Sequence, residues 1–221
     1  REMLPKARDR WLEESGGRPL PFVDVFCEKG AFDLAQTRRI LETAKELGFP
    51  LKVHVDEFEN IGGVALGMEL GAVSIDHVVK TSDAEIAALG NSETVAVSLP
   101  CTPFGLADPH YTRAKDILAA NSYLAIATDL NPGTAWCESM QFAIALACRY
   151  LKLTPAQAVA ATTINAAKAI GREDRIGSLE PGKQADLLVL SVSDYRQLGY
   201  RFGGNLVKSV IKKGTIIHEF H

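Results

Sequence analysis

The sequence predicts an α/β chain: the C-terminal part of a (β/α) barrel, followed from about residue 175 by a separate β-rich unit. Three observations predict it. Apolar, β-favouring runs alternate with amphipathic helical segments at intervals of roughly 20 to 30 residues, the pattern of a parallel sheet with helices outside. Three of those runs, Lys52-Val53-His54-Val55-Asp56-Glu57, Ser74-Ile75-Asp76-His77-Val78 and Ala125-Ile126-Ala127-Thr128-Asp129, end in imidazole or carboxylate side chains. A closed barrel suits chemistry spread over several strand ends better than an open sheet, because all its strand ends face one cavity. Only five strand/helix units occur, so the remaining strands are expected to precede residue 1.

Residues 1–15 read as an amphipathic helix ending at Gly16-Gly17, and residues 21–28 as the first strand. Asp33 with Gln36 three residues later has capping-box spacing and opens a helix that runs to Gly48. Residues 51–55 form the second strand, 61–70 a helix closed by Gly71, and 73–78 the third strand. Ser82 and Glu85 repeat the capping-box spacing before a short helix to Gly90. Residues 94–99 are the fourth strand, 113–120 a helix and 123–128 the fifth strand. A helix over 139–150 follows Asn131-Pro132-Gly133. Thr154-Pro155-Ala156-Gln157 then supplies an N-cap, a proline at the first helical position and a capping glutamine for one helix ending at Gly171. Beyond Arg175, Gly177, Pro181-Gly182 and Gly203-Gly204 punctuate strands over 185–190, 206–211 and 215–218, with a turn at Lys213-Gly214.

Composition narrows the function. A chain of 221 residues can bury a sizeable core, and a formal net charge of -3 with both signs interspersed gives no electrostatic footprint for nucleic acid or an anionic membrane. Residues 142–148, the longest apolar stretch, are too few to span a bilayer, and Arg1-Glu2-Met3-Leu4-Pro5 has no apolar signal core. The expected partner is a small molecule. Cys27, Cys101, Cys137 and Cys148 form no CxxC pair and read as buried apolar side chains of a reduced, cytoplasmic protein.

A catalytic zinc or iron site needs nitrogen or oxygen ligands with one position left for water, and His54 and Asp129 suit it. Glu57 and His77 suit the movement of protons between water and leaving group. Asn131, Gly133 and Thr134 follow Asp129 and suit hydrogen bonds to a polar or anionic substrate, with Gly133 letting the backbone come close. Each also has a plain reading. A lone histidine is most often a hydrogen-bonded strand residue, Asp129 before Asn131-Pro132-Gly133 opens a turn, and Glu57 by itself is solvated surface. Asp56 alternates away from Glu57 and reads as structural. What favours a site is coincidence: three strands in order carry an ionisable residue at the same end. His110, in the loop after the fourth strand, is within reach of the site but reads as a mobile loop histidine, His218 and His221 read as exposed, and Arg149 and Arg172 could meet an acidic substrate but by default join helix-surface salt bridges.

Asp24-Val25-Phe26-Cys27-Glu28, His54-x-Asp56-Glu57, Asp76-His77, Thr128-Asp129-Leu130-Asn131-Pro132-Gly133, Glu138-Ser139-Met140 and Phe202-Gly203-Gly204-Asn205 carry a resemblance to the imidazolonepropionase family of the amidohydrolase superfamily. It runs over essentially all 221 residues. The resemblance implies a metal-dependent (β/α)8 TIM-like barrel, with residues 1–174 its C-terminal portion and 175–221 the C-terminal strands of a composite β-sandwich. It implies hydrolysis of the imidazolone ring of 4-imidazolone-5-propanoate to N-formimidoyl-L-glutamate, in cytoplasmic histidine degradation, by a homodimer. One divalent or trivalent metal ion, zinc or iron, would be held by His54 and Asp129. Glu57 and His77 would position the attacking water and shuttle protons, and Glu57, Asn131, Gly133 and Thr134 would contact substrate. The family's metal site also uses a His-x-His pair on the first barrel strand. None occurs here, so the chain taken alone is expected to hold metal weakly and turn over poorly. Two other readings stay open: another amidohydrolase-type hydrolase or deaminase of a cyclic amide or amidine, and a non-catalytic remnant that binds a partner.

Overall fold

Alternation along the strands decides which side chains meet the helices and which are left for function. In the segment Leu51–Val55, Leu51, Val53 and Val55 are buried, while Lys52 and His54 are half-buried on the opposite face. The computed structural model describes residues 2–220, so His221 and the first residue of the expected N-terminal helix lie outside the described residues.

Helix α1 (Met3–Glu14) precedes β1 (Val23–Cys27), α2 (Leu34–Glu46), β2 (Leu51–Val55), α3 (Gly63–Leu70), β3 (Ser74–His77), α4 (Asp83–Leu89) and β4 (Val95–Ser98). Then follow α5 (Cys101–Gly105), α6 (Ala114–Ala119), β5 (Leu124–Ile126), α7 (Met140–Arg149), α8 (Pro155–Thr162) and α9 (Ile164–Lys168). The five strands are all parallel and lie in chain order, without the reversal that marks an open doubly wound sheet. Among the described residues β1 and β5 do not pair with each other, so the sheet is an arc of a (β/α) barrel. Its outward residues, with Leu41, Val64, Leu89 and Ile117 of the helices, make the core. The expected capping boxes form at Asp33/Gln36, Ser82/Glu85 and Thr154/Gln157.

Two features depart from the sequence reading. Helix α5 was not expected; Pro103 is tolerated in it because it lies in the first turn. The single helix expected over 155–171 is two, broken at Thr163 (φ -122°, ψ -91°). The Thr162 and Thr163 hydroxyls donate to the carbonyls of Ala158 and Val159, a bond that bends helices. Gly177, at φ +95°, also seats against the break: a Cβ there would lie 2.7 Å from Ala167 Cβ and 3.0 Å from the Thr163 carbonyl.

The tail is a three-stranded antiparallel sheet, β6 (Leu187–Leu190), β7 (Val207–Lys212) and β8 (Thr215–Glu219). Lys213 and Gly214, both at positive φ, make its tight hairpin. The tail is tied to α7: the Gln141 side chain accepts from Leu206 N and donates to Asn205 Oδ1, both at 2.8 Å. Arg149 donates to the carbonyls of Gly199 (2.7 Å) and Tyr200 (3.1 Å), and not to a carboxylate as expected. The cysteines divide: Cys27 and Cys101 are buried, but Cys137, in the loop before α7, and Cys148, near the end of α7, are only half-buried.

Candidate active site

Strands β2, β3 and β5 leave the sheet through residues in the left-handed region: Asp56 (φ 55°), His77 (φ 80°) with Val78 (φ 47°), and Asp129 (φ 57°). None is glycine, and such residues cost on the order of 1–3 kcal/mol each, strain that clusters at functional sites. The sharp exits bring His54, Glu57, His77 and Asp129 to one mouth. The imidazoles of His54 and His77 lie 5.2 Å apart, centroid to centroid. His77 Nε2 is 3.5 Å from Glu57 Oε2 and 3.9 Å from Asp129 Oδ2.

Their environments set their protonation. Burial, and secondarily the charge on His54, pushes the His77 pKa down to about 3, so this imidazole is neutral and its approach to Glu57 is not an ion pair. Burial, then the nearby charge of Asp129, pushes Glu57 up to about 7. For His54 burial opposes the charged form, but the hydrogen bond to Asp24 and the charges of Asp24, Asp76 and Asp129 outweigh it, and its pKa rises. Asp24 Oδ1 lies 3.0 Å from His54 Nδ1, which directs Nε2 towards a ligand role. Thr102, on α5, donates to Asp129 Oδ2 at 2.6 Å.

The donor set fits a cation. His54, His77 and Asp129 each present one ligand atom, all within 4.8 Å of one another. Two imidazole nitrogens and a carboxylate suit zinc or iron. Asp24, His54 and Asp76 form a second such group, but there Asp76 is already engaged: Ser74 Oγ donates to it at 2.7 Å and Lys52 Nζ lies 3.4 Å away.

After Asp129 the chain folds on itself. Asn131 Oδ1 accepts from Gly133 N and Thr134 N, both at 2.8 Å, and its Nδ2 donates to the Asp129 carbonyl at 2.7 Å. Helix α5 lies directly against this loop: a Cβ on Gly105 would stand 2.1 Å from the Thr134 carbonyl oxygen. A cavity of about 880 Å³, lined by Phe104, Thr134, Trp136, Phe142 and Phe202 among others, adjoins the loop and does not include the four ionisable residues.

The four residues named from the strand ends are therefore together, with Asn131, Gly133 and Thr134 in the next turn. His110 is exposed and bonded to Asp108, at the rim of a small cleft that Glu57 and His77 share. Asp56 is fully buried; its carbonyl accepts from Val79 and Lys80, while among the described residues its carboxyl oxygens have no hydrogen-bond partner, and burial raises its pKa to about 7. Asp24 and Thr102 were missed. Asp24 had a signal, a carboxylate inside an apolar alternating strand; Thr102 had none, because α5 itself was unforeseen.

Comparison with known proteins agrees with this architecture. Residues 28–217 match the amidohydrolase family. The chain is 54% identical over 218 residues to the imidazolonepropionase of Herpetosiphon aurantiacus, covering 99% of this chain and 51% of that one. It is 49% identical to the imidazolonepropionase of Chloroflexus aggregans, with 97% and 51% covered. The chain thus spans about half the length of the curated relatives it matches. Among solved structures, an adenosine deaminase from Xanthomonas campestris with bound zinc superposes with a TM-score of 0.76 at 23% identity, covering 96% of this chain and 54% of that one. E. coli guanine deaminase superposes with a TM-score of 0.73 at 18% identity, covering 100% and 61%. At these identities the two structures speak to the fold alone.

Proposed function

From the premise that this chain belongs to the amidohydrolase family, we propose that the protein containing it hydrolyses the imidazolone ring of 4-imidazolone-5-propanoate to N-formimidoyl-L-glutamate, a step of histidine degradation. The observation that carries the reading is the convergence of His54, Glu57, His77 and Asp129 at the strand ends, in a chain 54% identical to an imidazolonepropionase.

In this reading His54 and Asp129 hold one zinc or iron ion, with Asp24 and Thr102 fixing their orientation. The ion supplies Lewis acidity, which lowers the pKa of water and polarises the bond under attack. Glu57, with a pKa of about 7, is poised both to take a proton from the attacking water and to deliver one to the ring nitrogen as the carbon–nitrogen bond breaks. The neutral imidazole of His77, 3.5 Å away, is the second proton carrier. Glu57 also hydrogen-bonds the ring. The Gly133 and Thr134 amides converge on one acceptor position, filled here by Asn131 Oδ1; the substrate's carboxylate takes that position, with Asn131 turning to donate. The protein is read as cytoplasmic and homodimeric, on the strength of its role and of the resemblance. Residues 1–174 belong to the barrel and 175–221 to the flanking sandwich. Among the described residues no helix is long and apolar enough to cross a membrane.

A substrate panel tests the reading. The full-length, metal-loaded protein should consume 4-imidazolone-5-propanoate and leave adenosine, guanine and other cyclic amidines untouched. Turnover of a purine with no attack on the imidazolone would replace it with a deaminase.

A further inference from the structure

Glu28 follows directly on β1 and is 2% exposed, yet among the described residues its carboxylate meets three backbone amides and no cationic side chain. Oε1 accepts from Lys29 N at 2.9 Å and from Glu59 N at 3.1 Å; Oε2 accepts from Phe58 N at 3.0 Å. Burying a carboxylate is costly unless hydrogen bonds replace its water, and charge-assisted bonds to backbone amides are among the stronger ones. The location of two of the three donors gives this arrangement its meaning. Phe58 and Glu59 are the residues immediately after Glu57, and among the described residues Glu28 is the only acceptor their amides have.

We propose that Glu28 is the positioning residue of Glu57: its buried carboxylate binds the turn 57–59 from beneath and so fixes the height of the Glu57 carboxyl over the site. The inference rests on the reading of Glu57 as the proton carrier. Glu57 Oε2 stands 3.5 Å from His77 Nε2, already at the outer limit of hydrogen-bond reach, so a shift of about 1 Å would disconnect the pair. The chemistry of the anchor is specific. Three donors need a group that only accepts; a glutamine in this place would turn its own N–H towards one of the amides. The neighbouring Lys29–Glu59 ion pair, 2.6 Å long, joins the same two loops but is exposed and contributes little.

The test uses the full-length, metal-loaded protein and 4-imidazolone-5-propanoate. Glu28→Gln should lower kcat on the order of 100-fold while bound metal per chain stays at the wild-type level. In a Glu57→Gln background the same change should cost no more than about twofold further, because Glu28 acts only through Glu57. Amide hydrogen exchange provides a readout independent of turnover and of the variant's folding: in the wild type the Phe58 and Glu59 amides should be protected far beyond an exposed loop. Free exchange at both amides, a kcat for Glu28→Gln within about twofold of wild type, or a full additional loss in the double variant would overturn the proposal. Wild-type turnover by Glu57→Gln alone would instead remove Glu57 from proton transfer, and the proposal with it.

Discussion

At the scale of the residue, the proposed chemistry rests on four side chains, His54, Glu57, His77 and Asp129, with Asp24, Thr102 and Glu28 as their proposed supports. Asp24 meets His54 Nδ1 at 3.0 Å and Thr102 meets Asp129 Oδ2 at 2.6 Å, so each proposed metal ligand has a hydrogen-bond partner. Asp24→Ala and Thr102→Val should each weaken metal affinity by about 10–100-fold, read by competition with a chelator, with the fold intact. His77→Asn should abolish most turnover yet leave metal content near wild type; loss of the metal would make His77 a third ligand, as its place within 4.8 Å of the other donors allows. His54, Glu57, His77 and Asp129 were legible in the sequence because strand ends announce themselves by an apolar run that stops at a charge. Thr102 and Glu28 were not. Their roles come from neighbours 27 and 30 residues away in the chain, and no local pattern records which amide or carboxylate a threonine or glutamate will meet.

The same distinction holds for elements. Capping boxes at Asp33, Ser82 and Thr154 were readable because both halves of the motif lie within four residues. The break between α8 and α9 was not, since Gly177, which seats against it, arrives from further along the chain. Gly177→Ala, strained by its positive φ and by the 2.7 Å approach to Ala167, should destabilise the protein by more than about 1 kcal/mol, measurable as a lower denaturation midpoint. In the tail, Asp186 accepts from Lys213 N at 2.9 Å and from the Lys212 ammonium, which hold its carboxyl down at about 2. An unfolded aspartate titrates near 3.9, so the folded state binds this proton less readily. The hairpin's stabilisation from Asp186 is therefore complete above about pH 4 and is lost as the pH falls through about 2. A carboxyl NMR titration should place Asp186 near the lower value in the wild type, and Lys212→Met should move it back towards the ordinary one.

At the scale of the whole molecule, five parallel strands in chain order direct their C-terminal ends to one side, and the left-handed exits at Asp56, His77 and Asp129 turn the chain over that mouth. The barrel arc could be read from the alternation of strands and helices. Whether its edges pair could not, because edge pairing has no local sequence signature; among the described residues β1 and β5 do not pair with each other. The large cavity between the Asn131 loop and the tail sheet, about 880 Å³, was equally invisible, since it is bounded by elements far apart in sequence. In the proposed reaction, metal held at His54 and Asp129 drives hydrolysis of the imidazolone ring. The most direct measurement is the formation of N-formimidoyl-L-glutamate from 4-imidazolone-5-propanoate by the full-length protein, as prepared, after chelation, after zinc or iron is restored, and as Asp129→Asn. Product that disappears on chelation, returns with metal and is nearly absent in Asp129→Asn is the expected result. Product formation that survives both metal removal and Asp129→Asn would contradict the account.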